Sequence, residues 1–494
     1  MPQNIPETFY PYSLKTSYQN TPMNYYAGVS VPLFSLRSAQ GFGIGEFPDL
    51  KKLADWCVAS GLRLIQILPI NDTSTNGGWN DSYPYNAIST RHLHPVYLNI
   101  DAVGTLDDDD KAIFLEKKRQ LDNEEFANYP EVFRHKMFFL RKIYERQCLN
   151  SSHDLSICDF SNDDNDFYRF LQYHCDRQLS DAVDYLHRHG IMLKGDIPIG
   201  VNRDSIDVRE APHLFNLDME TGAPPDAFAA QGQNWGFPTY NWPEMEKDGF
   251  QWWRERVRWY RRYFDALRID HILGFFRIWE IPKGSPDASF GHYSPTNPKL
   301  WEAEGKKRLS QVFGLLGNDM LICGEDLGMV APCVPGVMRE LGILSLEVQR
   351  MPKQPGSPFS DPRENPYLSI DTTGTHDMPT LRAWWEQDRN LSTRFYHEML
   401  HHHDNPPYFC EPWICKEIIE QHLNSNSQWV IIPIQDYLAI DGDFRWDKTW
   451  EEQINNPADP NNKWKYRMHQ SLEQLIENES LSASLSEMIQ RLRK

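Results

Sequence analysis

The chain has 494 residues, enough for one large α/β domain with insertions or for two to four ordinary domains. Its 50 Lys and Arg against 69 Asp and Glu give a formal net charge of −19, which repels a phosphate backbone and excludes nucleic acid as the expected partner. Residues 1–20 carry no basic segment followed by an apolar core, and no apolar run approaches membrane-spanning length, so we expect a soluble, cytoplasmic protein without a membrane partner.

Eight short runs of β-branched and apolar residues recur along the chain, each bounded by Gly, Pro, Asn or Asp. Such runs are typical of buried strands. In chain order they are YAGVSVPLF (26–34), LRLIQILPI (62–70), IMLKGDIPI (191–199), ALRIDHI (266–272), MLICGED (320–326), ILSLEV (343–348), YLSIDTT (367–373) and QWVIIPIQ (428–435).

Helical patterns fall between most of these runs, as at 47–61, 250–264 and 378–388. Strands that alternate with helices predict a parallel sheet, and eight such units predict a (β/α)₈ TIM barrel of the α/β class. The gap between the second and third runs is far longer than a βα connection needs, and it contains amphipathic stretches. We therefore expect residues 1–494 to form a single barrel domain, with residues 71–180 as a mainly helical subdomain inserted between strands two and three.

Four of the eight runs carry an acidic residue at or just beyond their carboxyl end, namely Asp196, Asp270, Glu325 and Asp377. In a (β/α)₈ barrel these strand ends converge on the face where active sites lie. Two carboxyl groups that flank a glycosidic bond can act as nucleophile and general acid, while a third holds sugar hydroxyls. The pattern therefore predicts a site that acts on carbohydrate.

The stretch ALRIDHI places Arg268, Asp270 and His271 within an otherwise buried strand. Residues two apart lie on one face of a strand, so Arg268 and Asp270 can pair, and Ala266 leaves room beside them. A structural ion pair explains this stretch as well as an active site does. If the site is catalytic, Arg268 is expected to keep Asp270 ionised, as a nucleophile requires.

Seven motifs follow one another along the chain: GDIPIGV, GAPPDAF, GQNWGFPTYNW, RIDHILGFFRIWE, GEDLG, GTHDMPTLRAWW and IPIQDYLA. Together they resemble the 4-α-glucanotransferases of glycoside hydrolase family 77, the amylomaltases or disproportionating enzymes. The stretches GEFPDLKKLADW, LPINDTS and WKYRMH are similar to the cytosolic plant-type branch of that family. The resemblance implies a retaining double displacement, without cofactor or metal, that transfers glucosyl or α-1,4-glucanosyl units between maltose or maltooligosaccharides and glucan acceptors such as glycogen.

The resemblance also implies roles for individual residues. Asp270 is similar to the family nucleophile, Glu325 to its acid/base and Asp377 to its transition-state stabiliser. Sugar contacts are implied for nine more residues: Arg268 and His271 beside the nucleophile, His376 beside the stabiliser, Asp196 and Asp226 near the donor sugar, Trp235 in a loop that closes over substrate, and Ser82, Tyr83 and Tyr85 in DSYPY, where Tyr83 is additional to the family pattern.

Three other functions stay open. An α-glucan hydrolase on the same barrel would differ only in letting water resolve the glucosyl ester. A lyase or isomerase would use Asp196, Glu325 and Asp377 to bind a divalent cation. A glycan-binding protein with a decayed site would not need all three catalytic-type carboxylates, and the chain has them.

Several conspicuous residues are predicted to be structural. Asp326 and Asp371 are expected to form salt bridges or helix caps. Trp384 and Trp385 are expected to pack in the core, and the acidic run 107–110 is expected at a helix N-terminus. The eight cysteines include no C-x-x-C pair, which indicates reduced thiols.

Overall fold

Eight parallel strands form the centre of the computed structural model, which describes residues 25–150, 166–226, 229–316, 320–353, 356–457, 459 and 462–493. The amino-terminal stretch 1–20 and Cys158, on which two expectations rest, lie outside the described residues. The strands are β1 (Tyr26–Ser30), β2 (Leu64–Gln66), β3 (Met192–Ile197), β4 (Ala266–Ile269), β5 (Leu321–Gly324), β6 (Ser345–Val348), β7 (Ser369–Thr372) and β8 (Trp429–Pro433).

The strands pair in chain order around a barrel. β1 to β5 are parallel neighbours, β6 to β8 continue the sheet, and β8 pairs with β1. A parallel bridge between Cys323 and Leu344 joins β5 to the residue before β6 and brings the two ends of the sheet together. The predicted (β/α)₈ barrel is confirmed. The strands are shorter than the predicted runs because residues at one or both ends of each run belong to the adjoining loops or helices.

Alternate strand residues face two different cores. Leu64, Met192 and Ala266 belong to a cluster inside the barrel, whereas Leu193 and Leu267 pack outward with the helices. Because the strands are covered on both faces, most of their residues are buried, which explains the continuous apolar runs in the sequence. The two-residue period of β4 places Arg268 on the same inward face as Ala266.

Fifteen helices surround the barrel among the described residues. They are α1 (Asp49–Ala59), α2 (Asp108–Asp122), α3 (Tyr129–Asn150), α4 (Asp166–Arg188), α5 (Ile206–Glu210), α6 (Trp242–Glu246), α7 (Gln251–Tyr260), α8 (Trp301–Phe313), α9 (Val334–Glu340), α10 (Leu381–Gln387), α11 (Arg389–Glu398), α12 (Pro412–Leu423), α13 (Ile434–Leu438), α14 (Leu472–Glu477) and α15 (Glu479–Leu492).

The long connection between β2 and β3 contains α2, α3 and α4, so the helical insertion is confirmed. Asp107 begins α2 by accepting the Asp110 N–H at 2.8 Å, as expected for an acidic run at a helix N-terminus. α4 ends at Arg188 and packs against α1 and β3, so it also serves as an outer helix of the barrel. The subdomain boundaries 71 and 180 stay a prediction.

A second, antiparallel sheet rises from the loops that follow β3 and β4. Its four strands are Met219–Ala223, Gln233–Asn234, Ile278–Pro282 and His292–Ser294, and a smaller sheet pairs Phe215–Asn216 with Thr239–Tyr240. The sequence did not predict these sheets, because their strands are short and the pairing of residues 219–222 with residues 279–282 joins two different loops. The Trp235 N–H donates to the Thr221 carbonyl at 2.9 Å and so fixes that loop against the sheet.

The residues predicted to be structural are structural. Lys353 donates to both carboxylate oxygens of Asp326 at 2.8 Å, and Asp371 pairs with His422 at 2.8 Å. Trp384 and Trp385 are buried. In the described part of the chain no helix combines the length and apolar character needed to cross a membrane, and the cytoplasmic location stays a prediction.

Candidate active site

A buried ion pair lies beneath the carboxyl face of the barrel. Arg268 Nη1 donates to both carboxylate oxygens of Asp196 at 2.8 Å, and the Tyr85 hydroxyl donates to Asp196 Oδ2 at 2.7 Å. The Asp196 side chain is 0% exposed and that of Arg268 5%. Burial opposes the charge of Arg268, but Asp196 and the other acidic groups around it together outweigh burial, so the pKa of Arg268 lies well above its usual value.

Asp270 lies directly above this pair and reaches solvent. Its side chain is 22% exposed and accepts from Arg268 Nη1 at 3.1 Å, while its other oxygen accepts the Ile199 N–H at 3.3 Å. The predicted pairing of Arg268 with Asp270 is present, but Arg268 is shared with Asp196. The Asp196 carboxylate is thus buried and holds Arg268 in place, whereas the Asp270 carboxylate faces the cleft.

The Glu325 carboxylate is hydrogen-bonded to the backbone of His271, the residue that follows Asp270. Its Oε2 accepts the His271 N–H at 2.8 Å, and its Oε1 accepts the Leu327 N–H at 3.2 Å. His271 adopts a left-handed conformation, with φ 42° and ψ 57°. This region is uncommon for a residue other than glycine and often marks functional sites. The turn at His271 is the point where the backbone after β4 meets the Glu325 carboxylate.

Asp377 stands at the end of the loop after β7. Its Oδ1 accepts from Asn455 Nδ2 at 2.6 Å, and its Oδ2 lies 3.3 Å from His376 Nε2. The Asn455 N–H also donates to the His376 carbonyl at 3.0 Å. Asn455 therefore holds the loop and the carboxylate together.

Burial raises the pKa of both Asp270 and Asp377. Arg268 offsets part of the shift at Asp270, and the negative charge of Glu325 adds to it. Arg268 thus favours the ionised form of Asp270, as predicted, but the net shift of the pKa is upward because the effect of burial is larger. Burial, together with the charge of Arg268, lowers the pKa of His376 to about 4, so this imidazole is neutral at neutral pH.

Stacked aromatic rings form one wall of the cleft. The Tyr85 ring stacks on His376 with centroids 5.3 Å apart, and the Tyr83 ring stacks on Trp464 at 5.4 Å. Trp464 also approaches His376, at 5.8 Å. On another side, the half-buried Trp235 meets His271 edge-on at 5.0 Å. Tyr83, Tyr85 and Trp235 thus all contact the cluster around Asp270 and Asp377.

The side chains of Ser82 and Asp226, both predicted to contact sugar, are hydrogen-bonded within their own loops. The Ser82 hydroxyl donates to the Trp79 carbonyl at 2.7 Å and closes a short turn. Asp226 is exposed, and its Oδ1 accepts the Ala229 N–H at 2.7 Å. Residues 227 and 228 beside it lie outside the described part of the chain. The sugar contacts of Ser82 and Asp226 stay predictions.

Asn455 and Trp464 are two site residues that the sequence did not predict. Asn455 lies in the run EEQINNPAD, which has no strand or helix period, and it is 78 positions from Asp377. Trp464 belongs to WKYRMH, which resembles the plant-type branch but suggests no role for the ring. The WKYRMH motif is the only feature of the sequence that could have indicated a role for Trp464.

The arrangement suits glycosidic chemistry better than joint metal binding. Within the described ranges, the ligand atoms of Glu125, Glu451 and His469 lie within 4.8 Å of one another, but Lys448 already donates to Glu451 at 2.9 Å. The strand-end carboxylates that a metal-dependent lyase would need do not form such a group among the described residues. They stand instead as separate carboxylates around one cleft.

Comparison with known proteins gives a consistent result. The model of glycoside hydrolase family 77, described as 4-alpha-glucanotransferase, matches residues 31–163 and 156–473. A 4-alpha-glucanotransferase of rice, Oryza sativa subsp. japonica, is 31% identical over 653 aligned positions, which cover 94% of this chain and 69% of that protein. One of Chlamydia pneumoniae is 30% identical over 512 positions, covering 94% of this chain and 95% of that protein.

Two solved structures share the fold. The amylomaltase of Streptococcus agalactiae, in complex with acarbose, matches with a TM-score of 0.72 at 22% identity and covers 95% of this chain and 99% of its own. The amylomaltase of Corynebacterium glutamicum matches with a TM-score of 0.73 at 20% identity, over 94% of this chain and 75% of its own. The family model spans most of the described barrel and every strand-end carboxylate. The chain therefore belongs to glycoside hydrolase family 77, the family of the 4-alpha-glucanotransferases.

Proposed function

We propose that this 4-alpha-glucanotransferase works by a retaining double displacement in which Asp270 is the nucleophile, Glu325 the acid/base and Asp377 the transition-state stabiliser. One observation carries the proposal: the Glu325 carboxylate accepts the N–H of the residue directly after Asp270. Two carboxyl groups are thereby held side by side at the ends of neighbouring strands. A retaining mechanism needs them about 5 to 5.5 Å apart.

In the first half-reaction, a carboxylate oxygen of Asp270 attacks the anomeric carbon of the donor. The bond from that carbon to the glycosidic oxygen breaks, and Glu325 gives its proton to the leaving oxygen. Arg268 and the Ile199 N–H position the Asp270 oxygens for this attack. Asp377, which is held by Asn455, stabilises the positive charge that develops on the sugar ring.

In the second half-reaction, Glu325 takes the proton of an acceptor hydroxyl while the acceptor oxygen attacks the anomeric carbon. The ester to Asp270 breaks, and a new α-1,4 bond forms. A held sugar hydroxyl has a large effective concentration, which lets it compete with water. Trp235 and Tyr83 offer aromatic surfaces that can hold an acceptor and exclude solvent.

The family acts on α-1,4-glucans, and we propose maltose and maltooligosaccharides as donors with glycogen-like chains as acceptors. The motifs that resemble the plant-type branch support this pair. His376, Arg268 and Asp196 are proposed to orient the hydroxyls of the donor glucose, either directly or through Tyr85.

The test is incubation with maltose, with and without glycogen, followed by chromatography of chain lengths and an assay of reducing ends. We expect free glucose together with longer oligosaccharides or an extended glycan, at a constant number of reducing ends. A steady rise in reducing ends without longer products would identify an α-glucan hydrolase. Absence of change with any α-glucan would overturn the proposed substrates.

A further inference from the structure

Three large aromatic side chains project into solvent where the loop after α11 meets α12. Tyr408 is 62% exposed, Phe409 55% and Trp413 45%. We refer to these three residues as the Tyr408 patch. Large aromatic rings are usually buried, and a cluster of exposed rings marks a binding surface more often than a single exposed ring does.

The Tyr408 patch is held in place by its backbone. Arg389 Nη1 donates to the Tyr408 carbonyl at 3.0 Å and Nη2 to the Pro406 carbonyl at 3.3 Å. Trp385 Nε1 donates to the Pro407 carbonyl at 3.3 Å. These hydrogen bonds fix the backbone of residues 406–408 to the buried Trp385 and the half-buried Arg389. Less conformational entropy of the loop is therefore lost when a ligand binds beside it.

Chain direction places the patch on the same face of the barrel as the catalytic carboxylates. α12 leads into the amino end of β8, so its own first residues lie toward the carboxyl face. Arg445, which follows α13 on that face, donates to the Cys410 carbonyl at 2.8 Å. The same segment continues to Asn455, the partner of Asp377. A long chain bound at the patch could therefore extend toward the cleft.

The shape and size of the patch favour a sugar chain over a second copy of the protein. The Tyr408 and Phe409 rings lie 5.0 Å apart with an interplanar angle of 83°, and an α-1,4-linked chain is curved, so successive glucose rings face different directions. Aromatic side chains of about 150–250 Å² at these exposures offer roughly 350 Å² in total. A stable protein interface buries about 800 Å² on each partner.

We infer that the Tyr408 patch binds a segment of α-1,4-glucan outside the catalytic cleft, by stacking aromatic faces on glucose rings. This inference rests on the α-glucan substrate class proposed above. It concerns long or branched glucans, because maltose bound in the cleft is too short to reach the patch as well.

The test is the double variant Tyr408→Ala/Trp413→Ala. We expect the KM for glycogen as acceptor to rise about tenfold, while kcat and the disproportionation of maltose stay unchanged. In native gels that contain glycogen, with maltotriose present to fill the cleft, the unmodified protein should be retarded and the double variant much less so. Phe409→Gln, which changes a single exposed ring, should give an intermediate effect.

The matched control is Phe138→Ala, which removes a ring of 45% exposure from α3 and should change neither measurement. Equal retardation of the double variant and the unmodified protein would overturn the inference. The inference would also be overturned if the double variant bound glycogen as well as the unmodified protein does but sedimented differently, because the patch would then join two copies of the chain. If the unmodified protein did not disproportionate maltose, the proposed substrates would be refuted. The gel measurement would still test the Tyr408 patch, because it does not depend on catalysis.

Discussion

At the scale of single residues, the candidate site contains a buried ion pair and, next to it, a carboxylate that reaches solvent. Asp196 and Arg268 are buried and neutralise each other, whereas Asp270 is partly exposed at the edge of the same network. A buried charge is tolerated only when it is paired and hydrogen-bonded. The ion pair, which the ALRIDHI stretch alone leaves as an alternative to an active site, is therefore part of the candidate active site, as the other strand-end acids led us to expect.

Glu325→Gln should stop transfer between ordinary maltooligosaccharides, because the leaving sugar then receives no proton. An α-glucosyl fluoride donor does not need that proton, so glycosylation should continue and the glucosyl ester should accumulate. Mass spectrometry of the quenched variant should map the ester to Asp270. An adduct on another residue, or full activity of the variant on maltotriose, would contradict the assignment.

Asn455→Ala should lower kcat about 10- to 100-fold with little change in KM. A hydrogen bond to a charged group contributes about 1.5–3 kcal/mol, and here it positions Asp377 at 2.6 Å. Steady-state kinetics with maltotriose provide the measurement. Asn462, which donates to Asn455 Oδ1 at 2.8 Å, is one link further away, and Asn462→Ala should have a smaller effect. A lower Tm with unchanged kcat would show that Asn455 only stabilises the loop.

The pH profile should show the raised pKa of Asp270. Burial raises this pKa, so the acid limb of kcat/KM should lie above the ordinary aspartate value of about 3.9. The nucleophile must be ionised, so activity is lost as the pH falls through this pKa. With a fluoride donor, which needs no proton from Glu325, the same acid limb should appear in Glu325→Gln. An acid limb that disappears in this variant would contradict its assignment to Asp270.

At the scale of helices and strands, close packing decides where the active-site loop can lie. Gly305 in α8 faces Phe276, which follows β4 and is 0% exposed. A Cβ added at Gly305 would lie 2.1 Å from Cδ1 of Phe276. The helix can approach the loop after β4 only because this residue has no side chain.

Gly305→Ala should therefore destabilise the protein by about 1–3 kcal/mol, although alanine normally favours a helix. Gly336 in α9 is the matched control, since no atom lies within 4 Å of a Cβ added there. Gly336→Ala should stabilise by about 0.5–1 kcal/mol. Urea unfolding of both variants gives the comparison. The packing argument fails if both variants shift in the same direction.

At the scale of the whole molecule, the barrel brings together residues from most of its loops. The cleft is formed by the ends of β3, β4, β5 and β7, by the insertion that carries Tyr83 and Tyr85, and by the carboxyl-terminal stretch with Asn455 and Trp464. These segments are held together by hydrogen bonds, by the Arg268–Asp196 ion pair and by ring stacking. Among the described residues, the strand-end carboxylates do not form a group that could share a metal ion.

Exhaustive treatment with EDTA should accordingly leave the disproportionation of maltose intact. Asp270 and Glu325 supply the nucleophile and the proton transfers, so the proposed chemistry has no step for a cation. Activity before and after dialysis, assayed as released glucose, is the measurement. Complete loss that a divalent ion restores would favour the metal-dependent interpretation.

The sequence by itself determined the barrel and the positions of its strand-end acids. Both follow from local patterns: apolar runs mark strands that are covered on both faces, and the two-residue period places Arg268 and Asp270 on one side. The motifs then linked Asp270, Glu325 and Asp377 to glycosidic chemistry. None of these inferences requires knowledge of a distant contact.

Only the tertiary structure decided how those residues are supported. The hydrogen bond from Tyr85 to Asp196 joins residues 111 positions apart in the sequence, and that from Asn455 to Asp377 joins residues 78 positions apart. The four-stranded sheet beside Trp235 pairs loops that follow different strands. Such contacts leave no local period in the sequence, because the geometry of the barrel, and not the neighbouring residues, brings their partners together.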